Sequence, residues 1–447
     1  MNLTSKRMWF CTVMFGCLTL SLLYQRDFTV SALQIMSIYN NSTNLLDRQK
    51  GMKYILEWSP PKHWPLKYWG PGQNEYIRRK CKINNCYVTA NRSFFPNITQ
   101  FDVVVYNSME MKGYAYVPGP KIRSPHQKYI FTSMESSHYY PFCDKRYNGF
   151  FNWTWTYRLD SDEPYGYITI RNITGDIIGP NQIMHWMKLD AMKPIDKKTK
   201  KMLKKKNKTA AWFVSNCNTK SKREELVFRL QNELGKKYGL EIDIFGGCEW
   251  ALKKCPLEKI KECLKLIQEQ YYFYLSFENS FSKDYVTEKL LTALQNYAVP
   301  IVYGGANYTR FMPDGIYLHA GELEVSDLAK QMNDIIKDKN RLTFTASANI
   351  AIRPGNGLPR WAKNTKLIAS SRDGARNNVY YSFFKWRNHY SYHDKEESPD
   401  SDDQCITCAM LNDETLMKKK TVYKDFTNWW NVPWGCYGKK GRRVKNF

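Results

Sequence analysis

Two hydrophobic periods alternate along the chain, and they predict alternating strands and helices. Short aromatic and β-branched runs bounded by turn residues read as buried strands: YILEWS (Tyr54–Ser59), FDVVVYN (Phe101–Asn107), the start of KYIFTSMESSHYYP (Lys128–Pro141), AAWFVSN (Ala210–Asn216) and EIDIFGGC (Glu241–Cys248). Apolar residues at helical spacing follow from Glu224, in YVTEKLLTALQNY (Tyr285–Tyr297), in ELEVSDLAKQMNDIIKD (Glu322–Asp338) and in VYYSFFKWRNHY (Val379–Tyr390), the last expected to pack back across a domain junction. FYLSFE, YVTEKLLTALQNY and VPIVYGG, between Phe273 and Gly305, form a strand, helix and strand, a βαβ unit. Ligands in such units sit at the carboxyl ends of the strands, near the N-terminus of the crossover helix. The repeated βα pattern gives an α/β fold with parallel sheets.

Two stretches break the pattern. Met8–Tyr24 is uncharged, follows Lys6 and Arg7 and lacks a small-residue cleavage site, so it reads as a transmembrane signal anchor, with a secretory signal peptide as the competing reading. KPIDKKTKKMLKKKNK (Lys193–Lys208) shows no apolar face and reads as a solvated linker. The chain then divides into a cytosolic tail (1–7), an anchor (8–24), a polar stem (25–53), a first domain (54–192), the linker (193–208), a second domain (209–390) and a C-terminal extension containing CITC (391–447).

Composition sharpens the placement. The 447 residues carry a formal charge of +25, but the lysines are dispersed and no nucleic-acid-binding motif is present, so nucleic acid is not expected as a partner. Asn-x-Ser/Thr acceptors at Asn40, Asn41, Asn91, Asn97, Asn152, Asn172, Asn207 and Asn307 suit a lumenal chain. Cys11 and Cys17 fall in the anchor and ten cysteines remain, an even number that fits disulfides. Zinc held by Cys81, Cys86, Cys405 and Cys408 is the alternative, one that suits an oxidising lumen poorly.

The candidate chemistry gathers in the βαβ unit. Glu278, Asn279, Ser280, Tyr285, Thr287, Glu288 and Lys289 would suit a nucleotide sugar: carboxylate for ribose hydroxyls, ammonium and phenol for phosphate oxygens. The plain reading is a βαβ unit whose Ser280 and Asp284 cap a helix while Glu288 and Lys289 face water.

FENSFSKDYVTEKLLTALQNYAVPIVYGGANY resembles the signature of the α-1,3-fucosyltransferases, the family ten glycosyltransferases, of the insect-like type that modifies the N-glycan core. The resemblance implies a glycosyltransferase B fold of two Rossmann-like domains, with the second binding GDP-fucose. Carried over by position, Asn279, Tyr285, Glu288 and Lys289 would touch the donor, Glu288 at the ribose and Tyr285 and Lys289 at the pyrophosphate; Arg223, at the family's offset after VSN, would join them. KYIFTSMESSHYYP resembles the family's Phe-x-x-x-Glu-Ser motif, which implies Glu135 as catalytic base, with Ser137 where proline is common.

The resemblance, which extends to NNCYVTANRS, also implies disulfides joining Cys81 and Cys86 to Cys405 and Cys408. Asp160 and Asp162 have the spacing of a manganese-binding DxD. The family's NWT-x-TYR-x-DSD, however, lies on the acceptor side of a metal-independent enzyme, so no metal or other cofactor is expected. Trp153 and Trp155, in the same segment, suit either core or cleft. The resulting expectation is a single-pass type II Golgi membrane enzyme, its catalytic part lumenal. It would transfer fucose with inversion to GlcNAc of glycoprotein N-glycans, the core GlcNAc first and LacNAc or LacdiNAc antennae second. An inactive lumenal glycan-binding protein is the alternative from a different class.

Overall fold

The computed structural model describes residues 48–62, 66–111, 117–338, 379–394, 403–419, 422–433 and 435–436. The expected anchor, most of the stem, Asn40 and Asn41 lie outside these residues. Among the described residues no helix is long and apolar enough to cross a membrane.

The first half builds a six-stranded parallel sheet from β1 (Lys53–Glu57), β2 (Cys86–Thr89), β3 (Val103–Asn107), β4 (Lys128–Ser133), β5 (Trp153–Thr156) and β6 (Glu163–Pro164), in the order β2-β1-β3-β4-β5-β6. β3 and β4 are buried along their whole length, as expected of central strands covered on both faces. Successive side chains point to opposite faces. Val104, Tyr106, Tyr129 and Phe131 therefore join one aromatic layer, while Ile55, Val105, Ile130, Trp153 and Trp155 join another. Trp153 and Trp155 are thus core residues.

After β7 (Ile168–Arg171) and β8 (Ile177–Gly179) comes α1 (Lys197–Lys205), then a second parallel sheet. Its strands are β9 (Lys208–Val214), β10 (Ile242–Gly246), β11 (Tyr271–Phe277), β12 (Val299–Tyr303) and β13 (Leu318–His319), in the order β10-β9-β11-β12-β13. The connecting helices are α2 (Arg223–Tyr238), α3 (Ile260–Gln270) and α4 (Glu288–Gln295), with α5 (Val325–Asp338) beyond β13. Gly239, at φ 65°, ends α2 in the left-handed conformation that glycine adopts without a Cβ penalty. Both sheets follow the same doubly wound order, in which the strand sequence reverses between the first and third strands.

The chain then returns. α6 (Val379–Arg387) packs into the second core, and β14 (Ser391–Asp394) pairs antiparallel with β7. α7 (Asp403–Asn412) and α8 (Phe426–Trp430) lie against the first half. Disulfides join Cys81 to Cys405 and Cys86 to Cys408, with Cα atoms 5.3 and 5.8 Å apart, and so engage all four of these sulfurs with one another. Cys143–Cys436 adds a third cross-link, while Cys217–Cys248 and Cys255–Cys263 lie within the second half. The C-terminal aromatics acquire a role here: Phe426 and Trp430 are buried against Phe131, at centroid distances of 4.8 Å each.

Three expectations need correction. The basic run 193–208 is not a bare linker, because α1 is capped by Asp196 and turns Thr199, Met202 and Leu203 inward against the second half. At its end the fully buried Lys206 donates to the carbonyls of Ile267 and Tyr271, and burial pushes its pKa down to about 7. The stem ends earlier than residue 53, since Arg48 pairs with Asp102 at 2.6 Å. Asn152 is 8% exposed and its Oδ1 accepts from the Tyr129 amide, so its side chain is packed into the first half and not presented to solvent as an acceptor would be. Asn91, Asn97, Asn207 and Asn307 are exposed and Asn172 is half-buried.

Candidate functional site

In the second sheet the reversal falls between β9 and β11, so the crevice opens at their carboxyl ends. A cavity of about 290 Å³ lies there. β9 ends in Phe213 and Val214 and is followed by Ser215 and Asn216, all four at its wall. Asn279 follows β11, Tyr285 precedes the crossover helix, and Glu288 and Lys289 open α4; all four also line it. The first half closes the cavity with Glu135, two residues past β4, and Tyr167. Glu135, Arg223, Asn279, Tyr285, Glu288 and Lys289, far apart in the chain, thus surround one space.

α4 starts at Glu288, later than the apolar spacing predicts, and Ser280 and Asp284 do not cap it. Asp284, at φ 58°, instead accepts from Arg310 at 2.6 Å. The buried Glu278 caps the helix by accepting from the Thr287 amide and hydroxyl at 2.9 Å. Its other oxygen lies 3.3 Å from the Lys289 ammonium, which also reaches Glu288 at 2.8 Å. Burial alone would lower the Lys289 pKa, but these two carboxylates outweigh it and raise it, so the cation is secured at the cavity wall. Burial raises the pKa of Glu278, opposed by Lys289; burial opposes ionisation of Glu288 as well, and there Lys289 prevails and lowers it. Gly305 lets the following loop lie against this one, since a Cβ there would stand 2.7 Å from the Ser282 amide nitrogen.

Arg223 is 2% exposed and does not stand free at the wall. It donates to the carbonyls of Phe277 at 2.6 Å and Asn216 at 3.3 Å, joining the ends of β11 and β9, while its Nε has no partner among the described residues.

Tyr285 bridges the halves. Its ring joins the first half's aromatic cluster, with an edge contact to Tyr157 at 4.9 Å, and its hydroxyl donates to Glu135 Oε2 at 3.2 Å. Burial raises the Glu135 pKa; the Tyr285 bond and the Lys289 charge pull it back, and Glu288 and Glu278 push it up again, for a net rise. A carboxylate raised toward neutrality is suited to accept a proton.

Asp160 and Asp162 point elsewhere. Asp160 is held by Arg158 at 2.8 Å and Lys283 at 2.6 Å; burial opposes its ionisation, yet these cations bring its pKa down to about 2. Asp162 accepts from Thr154 and Tyr423. Asp162 therefore braces the first half and Asp160 ties it to Lys283 of the second, and neither lines the cavity. Sequence reasoning assigned no role to Ser215, Asn216 and Tyr167, and it gave Glu278 no part in holding Lys289. The reversal of strand order marks the first two, but nothing local marks Tyr167.

Comparisons with known proteins agree with this geometry. The profile "Fucosyltransferase, N-terminal" matches residues 50–168, and "Glycosyltransferase family 10 (fucosyltransferase) C-term" matches residues 203–344. The chain is 33% identical over 355 residues to "Alpha-(1,3)-fucosyltransferase C" of Drosophila melanogaster, covering 78% of this chain and 70% of that one. "Glycoprotein 3-alpha-L-fucosyltransferase A" of the same organism is 26% identical over 92% of this chain and 67% of its own. The Homo sapiens "4-galactosyl-N-acetylglucosaminide 3-alpha-L-fucosyltransferase FUT6" is 32% identical over 64% of this chain and 70% of its own. With both halves matched in order and one relative a third identical across most of the sequence, the chain belongs to the family 10 fucosyltransferases.

Proposed function

We propose that this fucosyltransferase moves L-fucose from GDP-fucose onto O3 of a GlcNAc in glycoprotein N-glycans, core GlcNAc preferred, by one inverting displacement. The observation that carries the reading is that Glu135, from the first half, and Lys289, from the second, face one cavity, where Tyr285 of the second half donates to Glu135. Glu135 takes the proton from the attacking hydroxyl as the bond to carbon one of fucose forms and the bond to GDP breaks. Lys289 and the N-terminus of α4 balance the charge that gathers on departing GDP, Arg223 fixes the strand ends around it, and Glu288 receives the ribose hydroxyls. No metal takes part in this scheme. The catalytic part is lumenal, in the Golgi, anchored through residues 8–24, and glycans are carried on exposed sequons.

The core acceptor is supported by likeness to an enzyme named as a glycoprotein fucosyltransferase over nearly the whole chain. The human relative's name describes a galactosyl-GlcNAc acceptor, which makes a LacNAc antenna the competing substrate. Incubating the protein beyond the anchor with GDP-fucose, EDTA and defined glycans tests the scheme. Transfer to core GlcNAc with EDTA present is expected. Transfer restricted to antennae overturns the acceptor, and loss of activity with EDTA overturns the metal-free mechanism.

A further inference from the structure

The loop that carries Glu135 touches the donor-side loop through serines. Ser136 Oγ lies 2.6 Å from Ser280 Oγ, and both side chains are fully buried. Ser280 Oγ is in turn 2.8 Å from Asn279 Oδ1. Beside them Ser137 Oγ meets Ser282 Oγ at 3.1 Å, and the His138 amide donates to Ser282 Oγ at 3.2 Å.

Counting hydrogens sets the direction of the first chain. Ser136 Oγ already accepts from the Tyr139 amide at 3.2 Å. If Ser136 donates to Ser280 and Ser280 donates to Asn279 Oδ1, each hydroxyl hydrogen is used once. In the reverse sense the Asn279 amide would donate to Ser280 and Ser280 to Ser136, and the buried Ser136 hydroxyl would keep a hydrogen with no acceptor among the described residues. An unpaired buried donor is the costlier arrangement.

We infer that Ser136 is a positioning residue for the donor: through Ser280 it fixes the Asn279 amide with its oxygen turned inward and its N–H groups turned into the cavity. Those N–H groups have no partner among the described residues. They call for an acceptor oxygen, such as one on a nucleoside diphosphate. The base-bearing loop of the first half thereby orients a donor-binding group of the second, although Ser136 does not itself line the cavity. The inference rests on the donor reading above.

A double-mutant cycle tests it, with GDP affinity measured by calorimetry on the protein beyond the anchor, together with the Tm of each variant. Ser136→Ala is expected to weaken GDP binding about fivefold, the worth of one ordinary hydrogen bond, and to raise the KM for GDP-fucose by the same factor. Ser136→Thr, which keeps the hydroxyl, restores binding. In an Asn279→Ala background Ser136→Ala should have no further effect. Equal GDP affinity in Ser136→Ala and the parent overturns the relay, as do losses that multiply in the double variant. A parent protein with no GDP affinity overturns the donor reading itself, and the relay with it.

Discussion

The first and second sheets share one winding order and use it differently. Where the order reverses in the first, the ends of β1 and β3 are stitched shut: the Trp58 amide donates to the Val105 carbonyl and the Asn107 amide to Ser59 Oγ at 2.9 Å. Ser108 Oγ then donates to Ser133 Oγ at 2.7 Å, closing the edge toward β4. In the second sheet the ends of β9 and β11 stay apart, joined by Arg223 across a polar cavity.

Each sheet also buries a glutamate at the carboxyl end of a strand. Glu57 has an oxygen without a partner among the described residues, and burial pushes its pKa up to about 8; Glu278 has Lys289 and Thr287. Winding order permits a crevice, but the side chains at its mouth decide whether it becomes a binding site or a seam. The first half instead reaches the second sheet's cavity through Glu135, one strand further along, and through Tyr167.

The strongest way to break this contrast is Glu135→Gln. Transfer should fall by about a thousandfold, as for loss of a general base, with GDP affinity unchanged by calorimetry; retained activity would mean that the first half supplies no base. Lys289→Met should weaken GDP binding by roughly ten- to a hundredfold, the range for a hydrogen bond to a charged group, and an unchanged affinity would show that the second crevice holds the donor by other means.

Glu57→Gln examines the seam. Because the folded-state pKa of Glu57 is raised, its contribution to stability is complete below about pH 4.5 and is lost as pH rises toward 8. The variant should therefore unfold later than the parent at pH 7, by about 1–2 kcal/mol after allowing for partial solvation, and no later at pH 4; parallel pH–stability curves would contradict this.

The smallest expected effect is in the pH profile of Tyr285→Phe. Its hydroxyl stabilises ionised Glu135, so its loss should move the acid limb of kcat/KM upward by roughly half a pH unit. A limb that stays in place would detach Tyr285 from the base.

The sequence made the central strands visible because their burial on both faces leaves continuous apolar runs, as in YYFYLSF of β11. Residues named from the family signature meet at one cavity because the βαβ unit sets their spacing locally. Other features depend on distant partners. α1 turns only Thr199, Met202 and Leu203 inward among its lysines, too few apolar positions to mark a helix. The apolar spacing around Tyr285 suggested one helix, yet that tyrosine packs into the other half's core, and its turn is fixed by Glu278 across the loop. Asn152 satisfies a glycosylation motif and serves as a hydrogen-bond acceptor at the start of β5, a role that only the fold shows. The pairing of Cys143 with Cys436 joins residues 293 apart and leaves no trace in spacing.

Cross-links from Cys81, Cys86 and Cys143 to the far end of the chain carry a consequence for biosynthesis. The part of the protein that leaves the ribosome first is the last to be finished: its aromatic layer waits for Phe426 and Trp430, and its thiols wait for Cys405, Cys408 and Cys436. Nascent chains halted before residue 403 should therefore linger with chaperones and thiol oxidoreductases, however well the strands already made have paired.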